Sequence, residues 1–140
     1  MSMVVGLDNE FVTVHCDPET GIVHHVMHRF VVSAMFRQAL ETGLALMQAH
    51  GASKWLSDDR RNGAISSDDT QWAGEDWRPR AVAAGFRTWA VVLPEGVVGQ
   101  MRIRRIVEDA RASGLTVETF EDAAAALSWL ERQPDAAPRR

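Results

Sequence analysis

The sequence is poor in the features that mark several large classes of protein. Its one cysteine, Cys16, can form neither an intramolecular disulfide nor a cysteine zinc site. Basic residues are fewer than acidic ones and the net charge is −4, which argues against a general nucleic-acid binder. No apolar run reaches the ~18 residues of a membrane-spanning helix, and the N-terminus lacks the basic start and apolar core of a signal peptide. We therefore expect a cytoplasmic protein with no membrane span.

The composition is sufficient for one folded domain. The chain has 140 residues, of which 46% are hydrophobic and 24% are charged. Both fractions are close to those of average soluble proteins, and the length suits one domain. We predict a single domain over residues 1–140, with a loose arm at 1–9 and a loose, proline-containing tail at 134–140.

The first predicted elements form a β-hairpin. Residues 10–16 alternate between apolar and polar side chains, which is typical of a half-buried strand. A turn containing Pro18 and Gly21 follows, and a second strand is predicted over 22–30. We expect the strand at 10–16 to lie at an edge of the sheet.

The alternation in the hairpin predicts which side chains face the core. Val12, Val14 and Cys16 are expected in the core, and His15 and His24 on the open face. Two cross-strand histidines without a third ligand make a poor zinc site. The sequence therefore predicts neither a metal nor a cofactor.

Helices and strands alternate through the rest of the chain. The apolar spacing and the capping residues predict helices at 33–50, 66–84, 98–113 and from 121 or 122 onward, and strands at 54–57, 86–93 and 115–120. Pro79 is expected to kink or restart the second helix. The order β-β-α-β-α-β-α-β-α predicts an α/β fold with a five-stranded mixed sheet and four helices.

The chain also carries a set of short segments between Phe11 and Glu131: Lys54-Trp55-Leu56-Ser57-Asp58-Asp59-Arg60, Trp72, Trp77, Pro79-Arg80-Ala81, Gly85, Ala90-Val91-Val92-Leu93-Pro94, Phe120 and Trp129-Leu130. This set resembles the small bacterial SpoIIAA-like (STAS-like) proteins of unknown function. The element order is similar to the SpoIIAA-like fold that STAS domains share with CRAL-TRIO-type lipid-binding domains. The resemblance implies that fold.

The STAS resemblance also raises the question of phosphorylation. Partner-switch STAS proteins are phosphorylated on a serine that follows an aspartate and starts the helix after the third strand. This chain departs from that pattern, because Ser57 precedes Asp58 and a polar loop intervenes before Ser66 and Ser67. These three serines are the candidates for phosphorylation.

One polar cluster is well placed for ligand binding. Ligands of open α/β sheets bind beyond the carboxyl ends of the strands. The predicted ligand-binding residues are Asp58, Asp59, Arg60, Arg61, Glu75 and Asp76. The alternative is a structural network in which the arginines neutralise the aspartates.

Three aromatic residues are candidates for an interface. Phe11 lies in the predicted edge strand, and Trp72 and Trp77 lie five residues apart on one helix and so point in different directions. Exposed aromatic rings often anchor interfaces, which predicts a homodimer. The alternative is that both tryptophans seal the helix onto the sheet.

The sequence contains none of the nucleophile, phosphate-loop or dinucleotide motifs that identify enzymes. We predict a non-enzymatic STAS-like regulatory or protein-interaction domain. The alternative function is binding of a small apolar ligand or lipid, by analogy with CRAL-TRIO domains. A closed apolar cavity between helix and sheet would favour the alternative, and a flat apolar patch around an exposed tryptophan would favour interaction.

Overall fold

The structure is a computed structural model that describes residues 3–135. Its strands are β1 (Val4–Asp8), β2 (Val12–Asp17), β3 (Ile22–Met27), β4 (Lys54–Asp58), β5 (Thr88–Val92) and β6 (Thr116–Phe120). Its helices are α1 (Ser33–His50), α2 (Ser67–Trp72), α3 (Arg78–Ala83), α4 (Val97–Ala112) and α5 (Ala123–Glu131), with a π-helical turn at Ala73–Trp77 between α2 and α3.

All six strands belong to one sheet in the order β1-β2-β3-β4-β5-β6. The pairs β1–β2 and β2–β3 are antiparallel, and β3 to β6 run parallel to one another. One face carries the main core, which includes residues of α1, α3 and α4 such as Leu40, Ala81 and Val107. The other face packs against α5 through Ala126 and Leu130. The mixed α/β class is as predicted.

The sheet has one strand more than the sequence predicts. Residues 4–8, expected to belong to a loose arm, form β1, so β2 is an inner strand and the expectation that it lies at an edge is wrong. Gly6 interrupts the apolar run of β1, and a β-bulge lies between Val5 and Leu7. A Cβ at Gly6 would lie 2.7 Å from Thr42 Cγ2 of α1, so glycine lets the strand approach the helix.

The predicted hairpin register is confirmed. Val12, Val14 and Cys16 are fully buried against α1. His15 pairs directly with His24 across β2 and β3 on the opposite face of the sheet. Their ring centroids are 4.9 Å apart, and both rings are half-buried rather than freely solvated.

The helix predicted over 66–84 is a composite of α2, the π turn and α3. Ser66 caps α2 by accepting a hydrogen bond from Asp69 N at 3.0 Å. The expected disturbance at Pro79 takes the form of the π turn just before it, where Arg78 N donates to Ala73 O, five residues back. Pro79 is then the second residue of α3, where its missing N–H is tolerated.

The C-terminal part of the described chain lies against the sheet. Asp135 Oδ1 is 3.3 Å from the ammonium nitrogen of Lys54, whose side chain is buried. The rest of the segment predicted as a loose tail, residues 136–140, lies outside the described residues. None of the helices within residues 3–135 combines the length and the apolar composition that a membrane span requires.

Candidate functional site

A cavity of about 70 Å³ lies between the sheet and the helices of the main core. Its walls are predominantly apolar, and its aromatic members come from α1, β4, the π turn, β5 and the segment before β5: Phe36, Trp55, Trp77, Trp89 and Phe86. A water molecule needs roughly 10–15 Å³ of such space. The cavity is therefore large enough for several heavy atoms of a small apolar group.

The polar part of the wall contains a buried hydrogen-bonded chain of three side chains. Trp55 Nε1 donates to His25 Nδ1 at 3.0 Å, and His25 Nε2 lies 2.9 Å from Asp59 Oδ1. An indole nitrogen can only donate, so Nδ1 must be the accepting nitrogen and the imidazole proton is on Nε2. His25 therefore donates to the Asp59 carboxylate.

Alternate side chains of a strand point to opposite faces of the sheet, and this alternation places the three hydrogen-bonded side chains on the face that borders the cavity. His25 is flanked by the core residues Val23 and Met27, and it pairs with Ser57 in the β3–β4 register. Asp59 follows β4 directly, at the carboxyl end of a parallel strand, where ligands of such sheets bind. Trp89 Nε1 donates to Ser57 Oγ at 2.8 Å and adds a further polar contact to the wall.

The π turn forms the opposite wall. Trp77 Nε1 donates to Leu40 O at 2.9 Å, which fixes the ring over the cavity. The centroid of the Trp77 ring lies 5.1 Å from that of Trp55 and 6.0 Å from that of Phe86, and both pairs are in edge-to-face geometry. π turns recur at functional sites because they widen a helix and change the direction of side chains. Here the turn supplies Ala73 and Trp77 to the cavity.

The polar groups of the cavity wall differ in whether the protein itself satisfies them. Both nitrogens of His25 are engaged in hydrogen bonds, with Trp55 and with Asp59. In contrast, the Thr70 hydroxyl oxygen is buried at the cavity wall and has no hydrogen-bond partner within the described chain. An unpaired buried hydroxyl costs free energy unless a bound molecule or water meets it.

The structure divides the predicted ligand-binding residues instead of bringing them together. Asp59 lines the cavity, but Asp58 forms a two-pronged ion pair with Arg60, with distances of 3.0 and 2.8 Å. Burial alone would raise the pKa of Asp58, but the hydrogen bonds and charge of Arg60 outweigh it and hold the pKa below its ordinary value. Asp58 and Arg60 therefore pair with each other, and neither lines the cavity.

The other three predicted ligand-binding residues are exposed. Arg61 lines a shallow surface groove near Pro94. Glu75 accepts a hydrogen bond from Gln71, and Asp76 pairs with Arg80. None of the three lines the apolar cavity.

The three candidate serines have different environments. Ser57 is buried and bonded to Trp89, so a kinase could not reach it in the folded state. Ser66 and Ser67 are exposed at the start of α2, where Ser66 is the helix cap. Any phosphorylation of the folded domain at these candidates would therefore be at Ser66 or Ser67.

The predicted interface residues do not form an exposed aromatic patch. Trp77 is 7% exposed and belongs to the core, so its assignment to an interface is wrong. Trp72 is half-buried beneath the Arg37 guanidinium, 4.9 Å from the ring centroid. Phe11 packs against the core with Arg29 over its outer face, and it is not on the open face of an edge strand.

Within residues 3–135, no group of three or more histidine, cysteine or acidic side chains could hold a metal ion. The pair His15 and His24 remains without a third ligand. His15 Nδ1 and His24 Nε2 are buried and have no hydrogen-bond partner among the described residues.

Of the cavity residues, the sequence analysis named Asp59 as a ligand-binding residue but did not single out His25 or Thr70. The burial of His25 and its hydrogen bond to Asp59 were not expected. The alternation that puts Val23 and Met27 in the core also puts His25 there, so that signal was present. No sequence pattern indicated that Thr70 lines the cavity, because its position depends on how α2 packs over the sheet.

Comparison of this chain with protein-family models, curated proteins and solved structures gives no match. The resemblance to SpoIIAA-like proteins therefore stays a prediction, and the functional argument rests on the cavity.

Proposed function

We propose that this protein is a binding domain for a small apolar ligand. The observation that carries the proposal is the cavity of about 70 Å³ between the sheet and the helices, walled by five aromatic rings. Ligand sites are typically concave and apolar with a few well-placed polar groups. Here those groups are the His25–Asp59 pair and Ser57.

The positions of the tryptophans favour ligand binding in the cavity over a protein–protein interaction through an exposed tryptophan ring. Trp55 and Trp77 are both buried, and each indole N–H is satisfied inside the protein. Their rings enclose space on the inside of the domain and offer no flat outer patch. Because both nitrogens of His25 are hydrogen-bonded to other side chains of the protein, an apolar group can enter without breaking these bonds.

The test uses the cavity tryptophans as reporters. The protein is titrated with 1-octanol while intrinsic tryptophan fluorescence is recorded, and native mass spectrometry of the freshly purified protein reveals any carried ligand. Ala73→Leu places a larger side chain at the cavity wall and should abolish the saturable fluorescence change. Ala49→Leu, at an exposed position of α1, is the matched control. Absence of saturation in the wild type, or equal binding by Ala73→Leu, would refute the proposal.

A homodimeric interaction domain is the second proposal, and a different observation favours it. The exposed large apolar residues include Phe30, Val32, Val97, Val98 and Met101. Phe30 and Arg102 line one surface groove, and Val98 and Arg102 line the neighbouring one. A second copy of the chain could bury this group in a self-complementary contact.

A further inference from the structure

The cavity adjoins a larger groove on the protein surface. This groove, of about 480 Å³, lies between α2 and α4. Four residues line both spaces: Ile65, Thr70, Arg78 and Ile106. These four residues form the boundary between the two spaces, and a molecule that bridges the cavity and the groove would pass between them.

The groove is lined by three arginines and one acidic residue. Arg78 Nη1 is 2.9 Å from Asp109 Oδ2, and Arg102 Nη1 donates to Ile65 O at 2.5 Å. The Arg105 side chain makes no hydrogen bond or ion pair within residues 3–135, whereas the guanidinium groups of Arg78 and Arg102 are both engaged. The groove thus has an excess of positive charge and one guanidinium that is free to bind an anion.

Thr70 marks the junction between the two spaces. Its hydroxyl oxygen is buried and unpartnered within the described chain, and the residue lines both the cavity and the groove. A head group located between the apolar cavity and the arginines would place an oxygen near this hydroxyl. The donor capacity of Thr70 would then be used together with that of the arginines.

We propose that the ligand is a single-chain amphiphilic acid, with its apolar end in the cavity and its carboxylate or phosphate group in the groove against Arg105 and Thr70. This inference rests on the ligand-binding function proposed above. Arg78 and Arg102 border the same groove and add to its positive potential, although hydrogen bonds hold them to Asp109 and to the carbonyl of Ile65. The chemistry shared by the two head groups is an anion with several acceptor oxygens, which guanidinium groups bind well.

The experiment compares three probes that share one alkyl chain: octanoate, octyl phosphate and 1-octanol. Binding is followed by tryptophan fluorescence on the full chain. We expect both anions to bind about tenfold more tightly than 1-octanol, the gain expected from roughly one charge-assisted hydrogen bond. The stronger of the two anions identifies the head group as a carboxylate or a phosphate. Equal binding of the anions and 1-octanol would overturn the inference but leave the proposed function standing, and no binding of any probe would overturn both.

The first pair of variants isolates the charge of the groove. Arg105→Gln should weaken octanoate binding about tenfold and leave 1-octanol binding unchanged. Arg104→Gln is the matched control, because it removes the same charge from an exposed position of α4 that does not line the groove. Equal losses of octanoate binding in the two variants would show a general charge effect and refute the assignment of Arg105.

The second variant separates binding from folding. Thr70→Val keeps the shape of the side chain and removes a hydroxyl that makes no hydrogen bond within residues 3–135. We expect its urea unfolding midpoint to equal or exceed that of the wild type, while its affinity for octanoate falls severalfold. Unchanged affinity would exclude Thr70 from the head-group site, and a lowered midpoint would show that the hydroxyl serves the free fold instead.

Discussion

Gly43 of α1 lies against the indole of Trp55, so closely that a Cβ at position 43 would be 2.7 Å from Trp55 Cζ3 and 2.8 Å from Cζ2. Trp55 is 1% exposed and donates the hydrogen bond that orients His25. The glycine thus sets how far the Trp55 ring can extend beneath the helix, and the ring in turn positions the polar wall of the cavity.

Gly43→Ala should destabilise the domain although alanine favours helices over glycine by about 1 kcal/mol. The added methyl group would overlap a buried ring that has little room to move, and we expect a net loss of about 3 kcal/mol or more. Urea unfolding monitored by circular dichroism measures this loss in the free energy of unfolding. Gly96→Ala is the control, since a Cβ there meets nothing within 4 Å and the loss should not exceed about 1 kcal/mol. A stabilised Gly43→Ala protein would show that the ring can shift.

Asp59→Ala should lower the free energy of unfolding, because it leaves a buried hydrogen-bond donor without a partner. It leaves the Nε2–H of His25 without its acceptor in a buried site, and we expect a loss of about 2–3 kcal/mol in the free energy of unfolding. Asp59→Asn retains an acceptor oxygen and should lose less. Asp76→Ala removes an exposed partner of Arg80 and should lose no more than about 1 kcal/mol. Equal losses for Asp59→Ala and Asp76→Ala would show that the His25 contact contributes little.

Acid should destabilise the fold through His24. Burial lowers the pKa of His24 from 6.5 to about 4, the charges of His15 and His25 add to the shift, and Asp58 opposes it. Between these two pKa values the unfolded state binds more protons than the folded state, so stability falls as the pH drops from about 6.5 toward 4. The loss from this residue between pH 7.5 and 5 should be about 2 kcal/mol.

Urea unfolding of the wild type and His24→Leu at both pH values tests this expectation. The variant removes the titrating ring next to Leu56 and should lose less stability on acidification. Asp58 is present in both proteins, and Arg60, which does most to lower its pKa, is unchanged, so most of its own acid response is common to the two proteins. If both proteins lose the same stability between pH 7.5 and 5, the contribution of His24 is absent.

The homodimer prediction now has a different candidate surface. Light scattering should give twice the 15.5 kDa mass of one chain at micromolar concentration. Val98→Asp places a charge among the exposed apolar residues and should yield monomers that melt at the wild-type temperature. Trp77→Arg, in contrast, should lower the melting temperature, because it buries an unpaired charge in the core. A wild-type mass of one chain would rule out the dimer.

The sequence was sufficient to predict the elements with strong internal periodicity. The alternation of Val12, Val14 and Cys16 correctly predicted the register that brings His15 opposite His24, because a one-residue slip would expose the whole apolar set. The helix at 33–50 was predicted with the bounds that the structure shows, since its apolar spacing and the terminating Gly51 agree.

The separation of Asp58 from Asp59 could also have been foreseen. Successive side chains of a strand point to opposite faces, so two neighbouring aspartates at the end of β4 cannot both enter one pocket. Asp58 faces the side of His24, and Asp59 faces His25 and the cavity. Grouping them by sequence proximity overlooked the pleat of the strand.

What the sequence by itself determined is the set of elements whose own periodicity specifies a buried face, from β2 through α5. What only the tertiary structure decided is where elements meet. The strand β1 exists because β2 offers it hydrogen bonds and α1 receives Gly6. The cavity exists because the π turn, α4 and the sheet leave space around Thr70 and His25. Such features depend on contacts between residues far apart in the chain, and a local pattern carries no information about the space those contacts leave.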